Sequence, residues 1–169
     1  MLFRVGEKVV YPNHGVATIE NISTKHFGAQ FERFYLLRLS YSSLTVMVPF
    51  SHVRDLGLRP VTKQAEINKV LSFLSEGRTK CPADWKNRFK ENSEKMRTGS
   101  LLDIAQVFKM LVALQCEKPL SFREKKMLDR ARQMLIAEVS VVRGIREHDA
   151  ESLLAKSLSK SALPLPAAM

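Results

Sequence analysis

Apolar and polar residues follow two different periods along the chain, and the change falls near residue 60. Over the first fifty residues the apolar positions form four short, β-branched segments, EKVVY, GVATIENI, RFYLLRL and LTVMVPF. Turn-forming residues separate these segments at 12–15, 28–29 and 40–43. Strands spaced this closely predict a small, strongly bent antiparallel sheet or barrel.

From Lys63 onward the apolar residues recur with the period of a helix. Ile67, Val70, Leu71 and Leu74 form the first apolar stripe, which Gly77 is predicted to end. Further helices are predicted to begin near Pro82, after Ser100, at Ser121 and near Asp149.

The longest predicted helix begins at Ser121, where Ser121 and Glu124 have the spacing of a capping box. In such a box the serine side chain accepts from the first-turn amides while the glutamate reaches back. The apolar stripe of this helix is formed by Leu128, Ala131, Leu135, Glu138 and Val142.

Together these patterns predict an α+β protein. A β-rich domain occupies residues 1–60, and a bundle of four to five helices occupies residues 61–160. Residues 161–169 are predicted to be a flexible tail with no means of burying itself.

The excess of positive charge lies mainly in the helical part. Over the whole chain, 27 Lys and Arg outnumber 17 Asp and Glu, for a net charge of +10. Residues 1–60 carry 7 basic and 4 acidic side chains, a net charge of +3, and the remaining +7 belongs to residues 61–169. This balance favours a polyanionic partner.

The N-terminal residues lack the layout of a signal peptide, and no run of 18 apolar residues occurs, so we expect a soluble, cytoplasmic protein without membrane contact. In that compartment Cys81 and Cys116 are expected to be reduced thiols.

The sequence offers no pattern typical of a catalytic or metal site. The four histidines are scattered, the glycines fall singly, and no local motif would activate a nucleophile. We therefore expect no enzymatic activity, no metal and no cofactor. His14 is interpreted as a turn residue, between Asn13 and Gly15, which both tolerate positive φ.

The segment KCPADWKNRFK, residues 80–90, holds the single tryptophan of the chain among four cations. Trp85 has two interpretations, a core anchor flanked by solvated charges or an exposed apolar tip that the cations bring to a polyanion. The cations of this segment and of SFREKKMLDRAR also have two interpretations. They form either a solvated helix face or a surface that contacts phosphates. Composition leaves both questions open.

Several segments, in colinear order from Phe3 to about residue 158, resemble the bacterial CarD/CdnL family of transcription regulators. They are VGEKVVYPNHGVATIENI, LTVMVPF, DLGLRPV, ADWKNRFKEN and LSFREKKMLDRARQMLIAEVS. The resemblance implies an N-terminal Tudor/SH3-like module that binds the β subunit of RNA polymerase. It also implies a helical domain that meets promoter DNA at the upstream edge of the transcription bubble, through the minor groove and backbone and with little sequence specificity.

In this resemblance Trp85 aligns with a family tryptophan that acts as a minor-groove wedge and stabilises the open promoter complex. The matching candidates for contact with the DNA backbone are Lys86, Arg88, Lys90, Lys125 and Lys126. The matching candidates for polymerase binding are Lys25, Met47 and Pro49.

Met47 has a further reason to be a contact residue. Because side chains alternate along a strand, Val46 and Val48 share one face and Met47 takes the other. An exposed methionine beside a strand edge suits a protein partner.

The main interpretation is therefore a monomeric, nucleoid-associated transcription regulator that bridges polymerase and promoter. One alternative is an adaptor that binds polymerase through the β module without touching DNA. Another is a stand-alone nucleic-acid binder.

Overall fold

The structure of the chain is a computed structural model that describes residues 2–40, 42–77, 85–98 and 100–167. At Trp85 and Thr98 it describes the backbone and not the side chain. Three predictions concern positions outside the described residues: the helix start near Pro82, the state of Cys81, and the placement of the Trp85 ring.

The N-terminal part is a five-stranded antiparallel sheet with the strand order β4-β3-β2-β1-β5. Its strands are β1 Lys8–Tyr11, β2 Gly15–Phe27, β3 Gln30–Leu39, β4 Thr45–Pro49 and β5 Arg59–Pro60. The first four strands confirm the predicted segments. The fifth strand was not predicted, because it has only two residues and one of them is a proline.

The predicted turns set the register of this sheet. Asn13 and Gly15 have φ angles of 67° and 90° in the β1–β2 turn, as predicted, and His14 stands between them. Gly28, at a φ of 63°, lies in the turn that joins the two longest strands, which pair as far as Phe27 and Gln30. The turn residues therefore bring consecutive strands into antiparallel pairs.

One face of the sheet forms the first of two hydrophobic cores. Its fully buried residues include Val9, Ala17, Ile19, Leu37 and Val48. Tyr35 belongs to this core too, and its hydroxyl accepts a hydrogen bond from the Phe3 amide at 2.9 Å. After β4 the chain makes a 3-10 turn over Phe50–His52 and a short helix, α1 Val53–Leu56.

The described residues of the C-terminal part form five helices, which agrees with the four to five predicted. They are α2 Gln64–Ser75, α3 Trp85–Thr98, α4 Leu101–Glu117, α5 Phe122–Arg143 and α6 Glu147–Ser159. Helix α4 is the central one, with Ile104, Phe108 and Leu111 fully buried in the second core. The α+β class and the order of the two parts are confirmed.

The predicted capping box at the start of α5 is half formed. The Ser121 hydroxyl accepts a hydrogen bond from the Glu124 amide at 3.2 Å, as expected. The Glu124 carboxylate is instead engaged by Arg88 of α3, at 2.9 Å from Oε2 to Nε. A charged donor from a neighbouring helix is a stronger partner than a backbone amide, which explains the difference.

For residues 161–167, the described part of the predicted tail, the prediction that they have no means of burying themselves is wrong. Leu163 and Leu165 pack against the helical core, and the Arg132 guanidinium donates to the Pro166 carbonyl at 3.0 Å. Ser161 donates to the Leu74 carbonyl at 2.8 Å. Two leucines spaced to face one way are enough to hold this short segment against the bundle.

The link between the two parts is fixed by a buried carboxylate. Glu138 of α5, 2% exposed, accepts from both terminal nitrogens of Arg59 at 2.9 and 3.0 Å and from the Thr62 amide at 2.7 Å. Nearby, Gly15 approaches α5 so closely that an added Cβ would lie 3.4 Å from Met134 Cγ. These contacts place the β1–β2 turn and the linker directly on α5.

Candidate functional site

Met47 lies on the solvent side of the sheet, as the alternation of β4 predicted. Its side chain is 39% exposed, whereas the neighbouring Val48 is 1% exposed and belongs to the core. Strand β4 is also an edge of the described sheet, because in the strand order it stands beside β3 alone. An exposed methionine on an edge strand offers apolar contact together with unpaired backbone groups.

The sheet register brings the three candidate polymerase-binding residues to one face. Lys25 pairs with Glu32, Met47 with Leu36, and Pro49 with Phe34, and residues paired directly across strands point to the same side. We call this side the outer face; the residues that matter for the argument are Lys25, Glu32, Phe34, Leu36, Met47 and Pro49. Its residues next to β4 are apolar, its charged pair Lys25 and Glu32 lies towards the hairpin tip, and the Lys25 ammonium lies 5.9 Å from the centre of the Phe34 ring.

Sequence reasoning missed two aromatic residues at the tip of the β2–β3 hairpin. Phe27 is 60% exposed and Phe31 is 64% exposed. Phe27 pairs with Gln30, which places it on the outer face beyond Lys25. Two phenylalanines flanking a glycine turn were the available signal, since a hairpin tip has no core to bury them.

Four of the candidate DNA-contacting residues form an exposed basic face. Lys86 and Lys90 lie on α3, Lys125 and Lys126 lie in the first turns of α5, and all four are exposed. The buried ion pair between Arg88 and Glu124 joins the two helices that carry these lysines. We call these four lysines the basic face.

The prediction that Arg88 contacts the DNA backbone needs correction. Its side chain is 2% exposed and is paired with Glu124, whose side chain is 5% exposed. A guanidinium buried in this way is committed to the protein and is not presented to a phosphate. Arg88 therefore joins α3 to α5 beneath the basic face.

Trp85 is the first residue of α3, one helical turn before Arg88. The buried ion pair of Arg88 therefore anchors the first turn of α3, to which the Trp85 backbone belongs. The choice between a buried and an exposed indole concerns a side chain outside the described residues.

Lys109 is a buried cation that sequence reasoning did not single out. Its ammonium donates to the carbonyls of Phe73 and Glu76, both at 2.6 Å, at the C-terminal end of α2. Burial lowers the pKa of Lys109 and the nearby charge of Glu76 opposes that shift. A cation at a helix C-terminus satisfies its last carbonyls and favours its dipole, so Lys109 fixes the end of α2.

The remaining candidate chemistry is sparse in the part of the chain that the structure describes. There, no three His, Cys, Asp or Glu side chains converge as metal ligands, and no helix is long and apolar enough to cross a membrane. Cys116 is a free, exposed thiol.

Comparison with known proteins assigns both halves of the chain to one family. Residues 3–62 match the CarD-like/TRCF RID domain, and residues 69–155 match the CarD C-terminal domain. The putative transcription factor YdeB of Bacillus subtilis (strain 168) is 36% identical over 151 residues, which covers 89% of this chain and 99% of YdeB.

A solved structure gives a shorter match. The solution NMR structure of the 72-residue N-terminal domain of Myxococcus xanthus CarD is 36% identical and covers 34% of this chain and 77% of that domain, with a TM-score of 0.30. The extent of the family matches and of the Bacillus relative decides the assignment. The chain belongs to the CarD family of transcription regulators.

Proposed function

We propose that the chain binds the β subunit of RNA polymerase through its outer face and promoter DNA at the upstream edge of the transcription bubble through its basic face. Membership of the family supports a role in transcription regulation, because its members are non-catalytic transcription regulators of the polymerase-interacting type. The β subunit, the DNA contact and the stabilisation of the open complex are the proposal.

The observation that carries the proposal is the presence of two unlike surfaces in one connected molecule. The outer face has an apolar part around Met47 at an edge of the sheet, which suits a protein partner. The basic face gathers four exposed lysines on two helices, which suits a phosphate backbone. The contacts of Glu138 with Arg59 and Thr62 connect the part that carries the first to the part that carries the second.

In this mechanism polymerase supplies the position on the promoter and the basic face supplies sequence-independent affinity. Trp85 inserts at the upstream edge of the melted segment, where an apolar wedge disfavours restacking of the base pairs. No bond is made or broken. Because the regulator binds the open complex better than the closed one, a difference of ~1.4 kcal/mol shifts their ratio about tenfold.

Replacing Met47 with glutamate is expected to weaken binding to the polymerase β subunit by about tenfold or more. The added carboxylate would have to lose its hydration within an apolar contact, and no partner for it is expected there. The dissociation constant can be measured by fluorescence anisotropy with the labelled regulator and the isolated β subunit.

The matched control is Val5→Glu, which also adds a carboxylate at an exposed apolar residue of the N-terminal part. Val5 precedes the first strand and does not belong to the outer face, so its substitution should leave affinity within about twofold. Equal losses in the two variants, or none with Met47→Glu, would rule out the outer face as the polymerase contact.

The adaptor alternative makes a different prediction for DNA. A basic face that contacts phosphates gives an affinity that falls steeply with salt, because each neutralised phosphate releases counterions. An adaptor that binds polymerase with wild-type affinity and shows no salt-dependent DNA binding would replace the present proposal.

A further inference from the structure

A concave pocket lies where the β1–β2 turn meets α3 and α5. It has a volume of about 290 Å³. We call it the junction pocket, and the residues that matter here are Asn13 from the turn, Phe89 and Met96 from α3, and Arg123, Lys126 and Arg130 from α5.

The three cations lie together because of their spacing. Arg123, Lys126 and Arg130 stand at positions i, i+3 and i+7 of α5, so they share one side of the helix. Opposite them, Phe89 and Met96 project from α3, and the Arg123 guanidinium lies 5.2 Å from the centre of the Phe89 ring. The pocket thus combines an apolar wall with a cationic one.

The junction pocket carries an excess of positive charge. Within the described residues, no carboxylate lies within ion-pair distance of Arg123, Lys126 or Arg130, and no acidic residue lines the pocket. The partners that two of them do have are aromatic rings, Phe89 for Arg123 and Phe122 for Lys126. A ring contact leaves the full charge available to an anion.

The pKa of His14 responds to the same excess of positive charge. Burial lowers the pKa of its imidazole, and the positive charge of Arg130 lowers the pKa further. Its ring centre lies 5.0 Å from that of Tyr11, and Arg130 is the charged side chain that lines the small space beside it. An anion bound between the turn and α5 would act on His14 in the opposite direction.

We propose that the junction pocket binds a backbone phosphate of the DNA strand that crosses the basic face, which makes Arg123 and Arg130 phosphate contacts. This inference rests on the proposed function, because Lys126 belongs both to the basic face and to the pocket. The pocket is open and continuous with that face, which suits a strand that passes through. Guanidinium groups bind phosphate oxygens in a planar, two-bonded geometry, and the apolar wall can receive the sugar.

The consequence is that DNA extends to the junction of the two parts of the molecule. Asn13 belongs to the sheet part, whereas the three cations belong to α5. A bound strand would therefore contact both parts and favour the orientation that Glu138 already fixes.

The first test measures the salt dependence of binding to a DNA duplex with a mismatched segment that imitates the edge of the bubble. In the full-length double variant Arg123→Gln/Arg130→Gln, one phosphate contact is lost. The plot of log affinity against log salt should therefore be less steep, its slope smaller in magnitude by about 0.9. The matched control is Arg146→Gln, an exposed arginine at the start of α6, which should keep the wild-type slope.

The second test follows the His14 imidazole by NMR, with its signal assigned from a His14→Gln variant. Saturating DNA should raise the pKa of His14 in the wild type and leave it unmoved in the double variant. Deoxyadenosine monophosphate at the same phosphate concentration should have little effect. A shift with the free nucleotide and none with DNA would overturn the assignment to a strand.

The proposed function and the phosphate site in the junction pocket are contradicted by different results. A wild-type protein that binds polymerase but no DNA contradicts the proposed function and this inference together. A wild type that binds DNA, with a double variant of unchanged slope and an unmoved His14, contradicts the junction pocket alone.

Discussion

Replacing Arg88 with methionine is expected to lower the free energy of unfolding by about 3–5 kcal/mol, because the substitution leaves the carboxylate of Glu124 buried without its charged partner. Both side chains are almost fully buried, and the Nε to Oε2 distance is 2.9 Å. Urea denaturation of the two proteins measures the difference.

Two comparisons make this prediction specific. Arg97→Met removes an arginine from the same helix, but its pair with Glu94 is exposed on both sides, so its effect should stay within about 1 kcal/mol. In the double variant Arg88→Met/Glu124→Gln no buried charge is left over, and the total loss should be smaller than the sum of the two single losses. Similar losses for Arg88→Met and Arg97→Met would contradict the buried pair.

Replacing Glu138 with alanine is expected to cost about 3 kcal/mol and to loosen the connection between the sheet and the helices. The substitution removes the acceptor of two guanidinium bonds from Arg59 and of the Thr62 amide. The estimate is taken from the lower end of the range for buried pairs, because Arg59 retains 23% exposure.

The loosening can be measured directly as a distance distribution between two spin labels. Cys116 is exposed and takes one label, Arg33→Cys on β3 takes the other, and Cys81 is changed to serine. The wild-type background should give one narrow distribution, and Glu138→Ala a broader one. Glu147→Ala, an exposed carboxylate on α6, is the control; equally narrow distributions in all three proteins would show that Glu138 does not fix the orientation.

The regular elements were predictable because their patterns are local. The stripe of Ile67, Val70 and Leu74 and the alternation around Met47 each depend on a few neighbouring residues, and the structure shows both as predicted. The short strand β5 was not predictable from a local pattern. It forms only when Arg59 and Pro60 pair with β1, about fifty positions away in sequence.

The buried charges could not be predicted in the same way. Arg88 and Glu124 are 36 positions apart, and nothing local distinguishes Arg88 from the exposed lysines on either side of it. Glu138 did carry a signal, because a carboxylate within an otherwise apolar stripe requires a buried partner. The identity of that partner, Arg59, depends on how the two parts pack, which local pattern does not specify.

Because Arg88 is buried, its role in the proposed DNA contact differs from that of the exposed lysines. Lys86, Lys90, Lys125 and Lys126 remain as the exposed cations, while Arg88 and Glu124 hold the two helices that carry them. Variants of Arg88 should therefore affect DNA through folding and through the position of α3. Variants of the lysines should affect it through salt-dependent affinity.

The measurement that tests the central claim most directly is the lifetime of open promoter complexes after challenge with a competitor. A bacterial housekeeping RNA polymerase is used with no regulator, with the wild-type protein, or with a folded Trp85→Ala variant. The wild type should lengthen the lifetime by about tenfold if it contributes ~1.4 kcal/mol, and Trp85→Ala should lose most of that gain. An unchanged lifetime with a wild-type protein proven to bind polymerase would contradict stabilisation of the open complex.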